Sequence, residues 1–370
     1  MTLRPIRPLA AALLAASASL AQALTFDLSF IPGTTAQEQT SFVAAANLWA
    51  AQLSDPVTVK LMVGTGSLSP GVLGQAASRE LVFGYSAVRS ALLTDVSGAS
   101  DSTAVASLPA GSSFGLLINR TSNSPNGSGS AIPYVDNDGD LNNTSIRMTA
   151  GNARALGFSF GTGGVSGLCT DCDAFIQFGT AFTWDHDRSN GIAGNAYDFI
   201  GIAAHEIGHA LGFISGVDSL DYFAQPANGG PFADNAFDDV STLDLFRWSA
   251  SSFASGVRDW TADARDKYFS INGGVTVGPL FATGSTFGDG RQASHWKDGL
   301  GIGLLDPTAA QGEFLQITAN DLRALDVIGW NASAVPEPHP AWLFAAGLGL
   351  VALRRRGAAL AADTAPVHFR

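Results

Sequence analysis

The sequence predicts an α+β fold, with a mixed-sheet half up to about residue 215 and a loop-rich half over 216–333. Three observations predict it. Helical and strand-like periods interleave upstream without a regular repeat. Alternation marks a strand at residues 57–63, and 173–178 reads as another. Downstream of residue 216 no strong period appears until a final helix at 317–328. With 46% hydrophobic and 14% charged residues, the composition is that of a globular chain and excludes intrinsic disorder.

In chain order, Arg4 and Arg7 precede an apolar run over 9–20 and the small-x-small Ala21-Gln22-Ala23. That order reads as a secretory signal peptide, residues 1–23. Residues 35–53 are amphipathic, with Phe42, Ala45, Ala46, Leu48 and Trp49 near helical spacing, and Asp55-Pro56 closes the helix. In 57–63, Val57, Val59, Leu61 and Val63 share one face of a strand. Residues 80–94 read as a helix, 113–119 as a strand, 148–156 as a short helix, 173–178 as a strand and 196–213 as a helix. The strand at 173–178 is also a candidate edge for pairing with an extended substrate.

The C-terminal segment 334–357 holds Val335-Pro336-Glu337-Pro338, an apolar run over 341–353 and Arg354-Arg355-Arg356, with a tail at 358–370. The run is short for a membrane span. The order of box, helix and basic stop resembles the PEP-CTERM sorting signal of Gram-negative bacteria; a plain tail anchor is the other reading. The resemblance implies export to the cell envelope or beyond, membrane contact only through this sorting helix, and processing by an exosortase-type enzyme.

Charge narrows the function classes. The whole chain carries net −12; the two terminal segments hold six arginines and two carboxylates, so residues 24–333 stand at net −16. A nucleic-acid-binding surface needs the opposite sign. The two cysteines, Cys169 and Cys172, are too few for a four-cysteine zinc site and read as a local disulfide in an oxidising compartment. No Gly-x-Ser-x-Gly elbow and no phosphate-binding loop are present.

The chemistry concentrates in Ala204-His205-Glu206-Ile207-Gly208-His209-Ala210-Leu211-Gly212-Phe213. Residues four apart share a helix face, so the His205 and His209 imidazoles can grip one Zn2+ ion. Glu206 is then the candidate catalytic base, placed to take a proton from water. Gly212 suits a left-handed helix stop. The opening H-E-x-x-H-x-x-G matches the start of the metzincin pattern, but Ser215 stands where a third histidine follows in the simple form. Candidate third ligands are Asp218, Asp221 and His295.

His295 lies in Ala293-Ser294-His295-Trp296, ahead of Leu304-Leu305-Asp306-Pro307. The motif, the long insertion and the Ser-His-Trp segment together resemble the leishmanolysin family of metzincins. The ending Ala324 to Trp330 is also similar to a bacterial group of PEP-CTERM metallopeptidases. The resemblance covers roughly residues 173–330. It implies a metzincin-like fold, a zinc endopeptidase acting on protein or peptide substrates, zinc ligands His205, His209 and His295, and Glu206 as base. Leu305 falls where the family carries the Met of its Met-turn. With Ser215, this departure favours a rival reading, a non-catalytic matrix or surface-binding protein on a retired peptidase scaffold.

Asp136, Asp138 and Asp140 lie in Asp136-Asn137-Asp138-Gly139-Asp140-Leu141-Asn142, oxygen ligands at alternate positions that suit Ca2+ as well as a plain acidic turn. The loop is not an EF-hand, since the invariant glycine position holds Leu141. His186, in Trp184-Asp185-His186-Asp187, reads as part of a solvated loop.

Overall fold

The computed structural model describes residues 24–333, so the signal-peptide and sorting-segment readings lie outside the described residues. The upstream half runs β1 (Thr25–Phe30), α1 (Ala36–Ala50), β2 (Thr58–Gly66), β3 (Gly74–Ser78), β4 (Glu80–Gly84), α2 (Tyr85–Asp95) and α3 (Ala99–Ala106). It continues with β5 (Leu116–Ile118), β6 (Tyr134–Asp136), α4 (Leu141–Thr144), β7 (Ser145–Thr149), α5 (Ala150–Ala155), β8 (Ala174–Gly179), β9 (Trp184–Asp185), β10 (Tyr197–Asp198) and α6 (Phe199–Ala210). Downstream come α7 (Val217–Phe223), three short 3-10 turns, β11 (Arg247–Trp248), α8 (Ala250–Ser255), β12 (Arg258–Asp259), β13 (Lys267–Phe269), β14 (Leu280–Phe281) and α9 (Ala319–Val327).

The architecture is mixed, with helices packed on several small sheets, in keeping with the α+β expectation. The largest sheet has the order β1-β2-β8-β3. β1, β2 and β8 run parallel, and β3 runs antiparallel to β8 on the outer edge. Residues 173–178 are therefore not an edge. β8 is hydrogen-bonded on both sides, and the two edges of the sheet are β1 and β3. The sequence gives β3 away poorly because Gly74-Gln75-Ala76-Ala77-Ser78 has no β-branched or aromatic residue.

A second correction concerns residues 80–94. Only Tyr85–Asp95 is helical; Glu80–Gly84 is a strand paired with β7. Leu81 and Phe83 share a strand face, while the following Val88 and Leu92 keep helical spacing. Over so short an apolar run the two periods cannot be told apart.

Two helices support the sheet. α1 starts at a reciprocal capping box between Thr35 and Glu38. Its Phe42 meets Phe178 of β8 and Phe199 of α6 edge-on, with ring centroids 5.3 and 5.0 Å apart. Trp49, fully buried, donates its indole N–H to the Ala204 carbonyl of α6 at 2.7 Å. α6 is thus held against α1 by aromatic packing at its start and by the Trp49 indole at its middle.

The upstream and downstream halves share a sheet. β5 pairs with β6 on one side and with β12, from beyond residue 216, on the other. At the C-terminal end, Trp330 donates its indole N–H to the Leu211 carbonyl at 2.7 Å, and Asn331 donates its backbone N–H to the Asp55 carboxylate at 2.9 Å.

Candidate metal centre

α6 begins at Asp198, whose carboxylate accepts from the Gly201 and Leu315 backbone amides. It ends where Gly212 turns with φ +117°. An added Cβ there would lie 2.9 Å from Asn152 Cβ, so both conformation and space require glycine. The chain then crosses to Ser215. This residue takes no ligand role: its hydroxyl donates to Asp244 at 2.5 Å and its amide to Ser294 Oγ at 2.8 Å. Ser215 therefore ties the exit of α6 to the loop that carries His295.

That loop is fixed from behind by Asp218. Its carboxylate accepts from Ala293 N at 2.6 Å, Ser294 N at 3.1 Å and Ser294 Oγ at 2.5 Å. Asp221 is similarly engaged, accepting from Thr286 N at 2.7 Å and Phe287 N at 2.9 Å. The two candidate carboxylate ligands are thus spent on the 283–295 loop, and it is His295 that reaches α6.

The three imidazoles meet through one kind of atom. His205 Nε2 lies 3.1 Å from His209 Nε2 and 3.3 Å from His295 Nε2, and the third edge is 3.1 Å. Each Nδ1 faces a backbone carbonyl: Leu304 at 2.9 Å for His205, Phe213 at 2.7 Å for His209 and Gln292 at 3.3 Å for His295. A carbonyl oxygen only accepts, so each Nδ1 carries the proton and each Nε2 the lone pair. Three lone pairs pointed at one another have no hydrogen bond to make. They suit a cation.

Protonation is opposed as well. Burial lowers the His205 pKa to about 4, and burial with the neighbouring His205 lowers His209 to about 3. His295 is held well below 6.5 by burial and then by its two partners. All three are neutral at pH 7, the form that binds metal. The size also fits: zinc–nitrogen bonds of about 2.0–2.1 Å in a tetrahedron give nitrogen–nitrogen edges of about 3.3–3.4 Å.

Glu206 lies beside this trio, buried, and burial pushes its pKa up to about 8. A cation among the histidines acts in the opposite direction by Coulomb attraction. An added Cβ at Gly74 of β3 would come within 3.0 Å of Glu206 Oε1, so the edge strand's backbone closes over the carboxylate. The cleft in front has a volume of about 760 Å3 and is lined among others by Gly74, Tyr197, Ile214, Arg291 and Leu315.

Leu305, fully buried, packs against α6 at Gly208. A Cβ at Gly208 would lie 3.1 Å from both Leu305 methyls, which explains the glycine between Glu206 and His209. Leu305 is held by its neighbours: its carbonyl accepts from Trp296 N at 2.8 Å. Asp321, at the start of α9, accepts from Leu304 N at 2.8 Å, Leu305 N at 3.3 Å and Trp296 Nε1 at 2.8 Å. Its second task is the α9 capping box with Thr318. Sequence reasoning missed both Gly74 and Asp321. The Thr318-Ala319-Asn320-Asp321 spacing was the available signal for the latter.

The other candidates lie elsewhere. Among the described residues, His205, His209 and His295 form the one group of three or more His, Cys, Asp or Glu whose ligand atoms lie within 4.8 Å of one another. Asp136, Asp138 and Asp140 do not form such a trio. His186 pairs through Nδ1 with Ser41 Oγ at 2.8 Å and packs on Phe199. Cys169 and Cys172 are joined as a disulfide in a small cluster with Val165 and Phe175. Comparison with protein-family models, with curated proteins and with solved structures returned no match for this chain.

Proposed function

We propose that this chain is an exported zinc-dependent endopeptidase with His205, His209 and His295 as metal ligands and Glu206 as general base. The observation that carries the reading is the convergence of three neutral Nε2 atoms beside a buried carboxylate, under an edge of a sheet. When bound there, a zinc ion supplies Lewis-acid activation of water and of a peptide carbonyl. Glu206 takes the proton of the attacking water and returns it to the leaving amine. β3 offers unpaired backbone groups to an extended peptide, which seats the scissile bond over α6. Phe178, fully buried beside Gly74, helps exclude solvent from the carboxylate.

Export and sorting by an exosortase-type enzyme belong to the same proposal and rest on the terminal segments, outside the described residues. The test is hydrolysis of casein or gelatin by the purified chain. Activity that a chelator removes and added zinc restores supports the proposal. A well-folded, zinc-loaded chain that cleaves neither protein points instead to the retired scaffold.

The close approach of β3 gives a sharper check. In Gly74→Ala the new methyl meets Glu206 Oε1 at 3.0 Å and Phe178 Cε1 at 2.9 Å, so the carboxylate must shift. A catalytic group displaced by a fraction of an ångström is expected to lower kcat by up to about 10-fold. Zinc content is expected to stay unchanged, because no ligand is touched. Unaltered kcat, measured on a peptide substrate, would remove Gly74 from the account.

A further inference from the structure

We propose that the loop following β6 binds one calcium ion through Asp136, Asp140 and Asn142, a site separate from the histidine centre. The argument begins with Asp136, the last residue of β6, which is 4% exposed. Its Oδ2 accepts from Asn142 Nδ2 at 2.7 Å. Asn142 is fully buried, and that hydrogen bond fixes its orientation, since the flipped amide would set two acceptors against each other. The same amide therefore holds its Oδ1 close by the Asp136 carboxylate, shut from solvent and without any hydrogen-bond partner. Asp140 Oδ1 is buried and unpartnered in the same way.

Two orphan acceptors in the loop that starts from a buried carboxylate call for a donor or a cation. The charges decide between them. The ionised neighbours acting on Asp136 are Asp234, Asp138 and Asp140, all acidic, so a water molecule would leave the local charge uncompensated. Oxygen donors of this kind select a hard cation, and calcium tolerates the irregular geometry of a loop better than magnesium does.

Two further acidic residues nearby are assigned no ligand role: Asp138 is exposed where Asp136 is buried, and Asp234 has both oxygens engaged. Asp138 Oδ1 accepts from Asp140 N at 3.1 Å, across the turn made by Gly139 with φ +83°. Asp234 is fully engaged by Asn123 at 2.6 Å, Tyr134 at 2.9 Å and Asn235 at 2.8 Å, and contributes only its field. The proposed set is thus mixed where the sequence reading had three carboxylates, Asn142 standing in for Asp138. Because β6 pairs with β5 and β5 with β12, a cation here braces the sheet that joins the two halves.

The test titrates calcium chloride alone into the purified, chelator-stripped chain, followed by calorimetry and by thermal unfolding. One calcium per chain is expected, with Kd of about 10⁻⁵–10⁻³ M and a raised Tm. The histidine trio does not compete, since calcium takes oxygen ligands. Asp140→Ala, or Asp140→Asn should the alanine variant fold poorly, is expected to weaken binding at least about tenfold, because affinity follows the charge of the ligand set. Asp138→Ala is expected to bind within about threefold of the wild type, since it loses a turn contact and no ligand. Absence of calcium uptake up to about 1 mM overturns the site, as does wild-type affinity in the Asp140 variant.

Discussion

Replacing Glu206 with alanine is expected to lower kcat for peptide hydrolysis by about 10²- to 10⁴-fold, the range general-base catalysis commands. Zinc content is expected to remain at one per chain, since Glu206 sits between the ligands in sequence but outside their trio. Stripped of metal, the variant is also expected to unfold no earlier than the metal-free wild type. Burial raises the Glu206 pKa to about 8, which means the site disfavours the charged carboxylate that catalysis needs. A methyl group carries no such penalty, and gains in stability at the cost of activity are common at strained active sites. Casein hydrolysis within about tenfold of wild type would eliminate Glu206 as the base.

His295→Ala is expected to weaken zinc binding by at least about 10²-fold, more than the loss of an outer-shell partner typically costs. The loop itself should persist, because Asp218 grips Ala293 and Ser294 through their backbone and hydroxyl groups, not through the imidazole. The remaining pair, His205 and His209, would hold the ion on a single helix face. Competition against a chromophoric chelator measures the change. Full retention would require Asp218 or Asp221 to leave its present amide partners and become the ligand.

The contrast between these two sites of mutation shows what was readable from residues alone. His205, Glu206 and His209 were legible because helical periodicity itself brings residues four apart together. The disulfide was legible because its two cysteines stand three residues apart. His295 is 86 residues from His209, and nothing local ties them; the resemblance suggested the link and the fold supplies the contact. Asp218 and Asp221 were open as ligands because a sequence cannot say that a carboxylate is already occupied by backbone amides. β3 escaped notice because its residues lack strand propensity, and its place is set by pairing with β8. Residues 80–84 were absorbed into a helix because a five-residue apolar run satisfies either period.

Asp321 carries a consequence for the order in which this molecule becomes complete. All three histidines precede it in the chain, yet the turn whose Leu304 carbonyl meets His205 is held by a carboxylate on the last helix. Beyond it, Asn331 reaches back across 276 residues to Asp55. Contacts of such long sequence separation form late and slowly. A growing or truncated chain can therefore possess every ligand and still lack a rigid centre. On the peptidase reading, hydrolytic power arrives only when the final helix closes, a timing that spares the unfolded chain from its own activity.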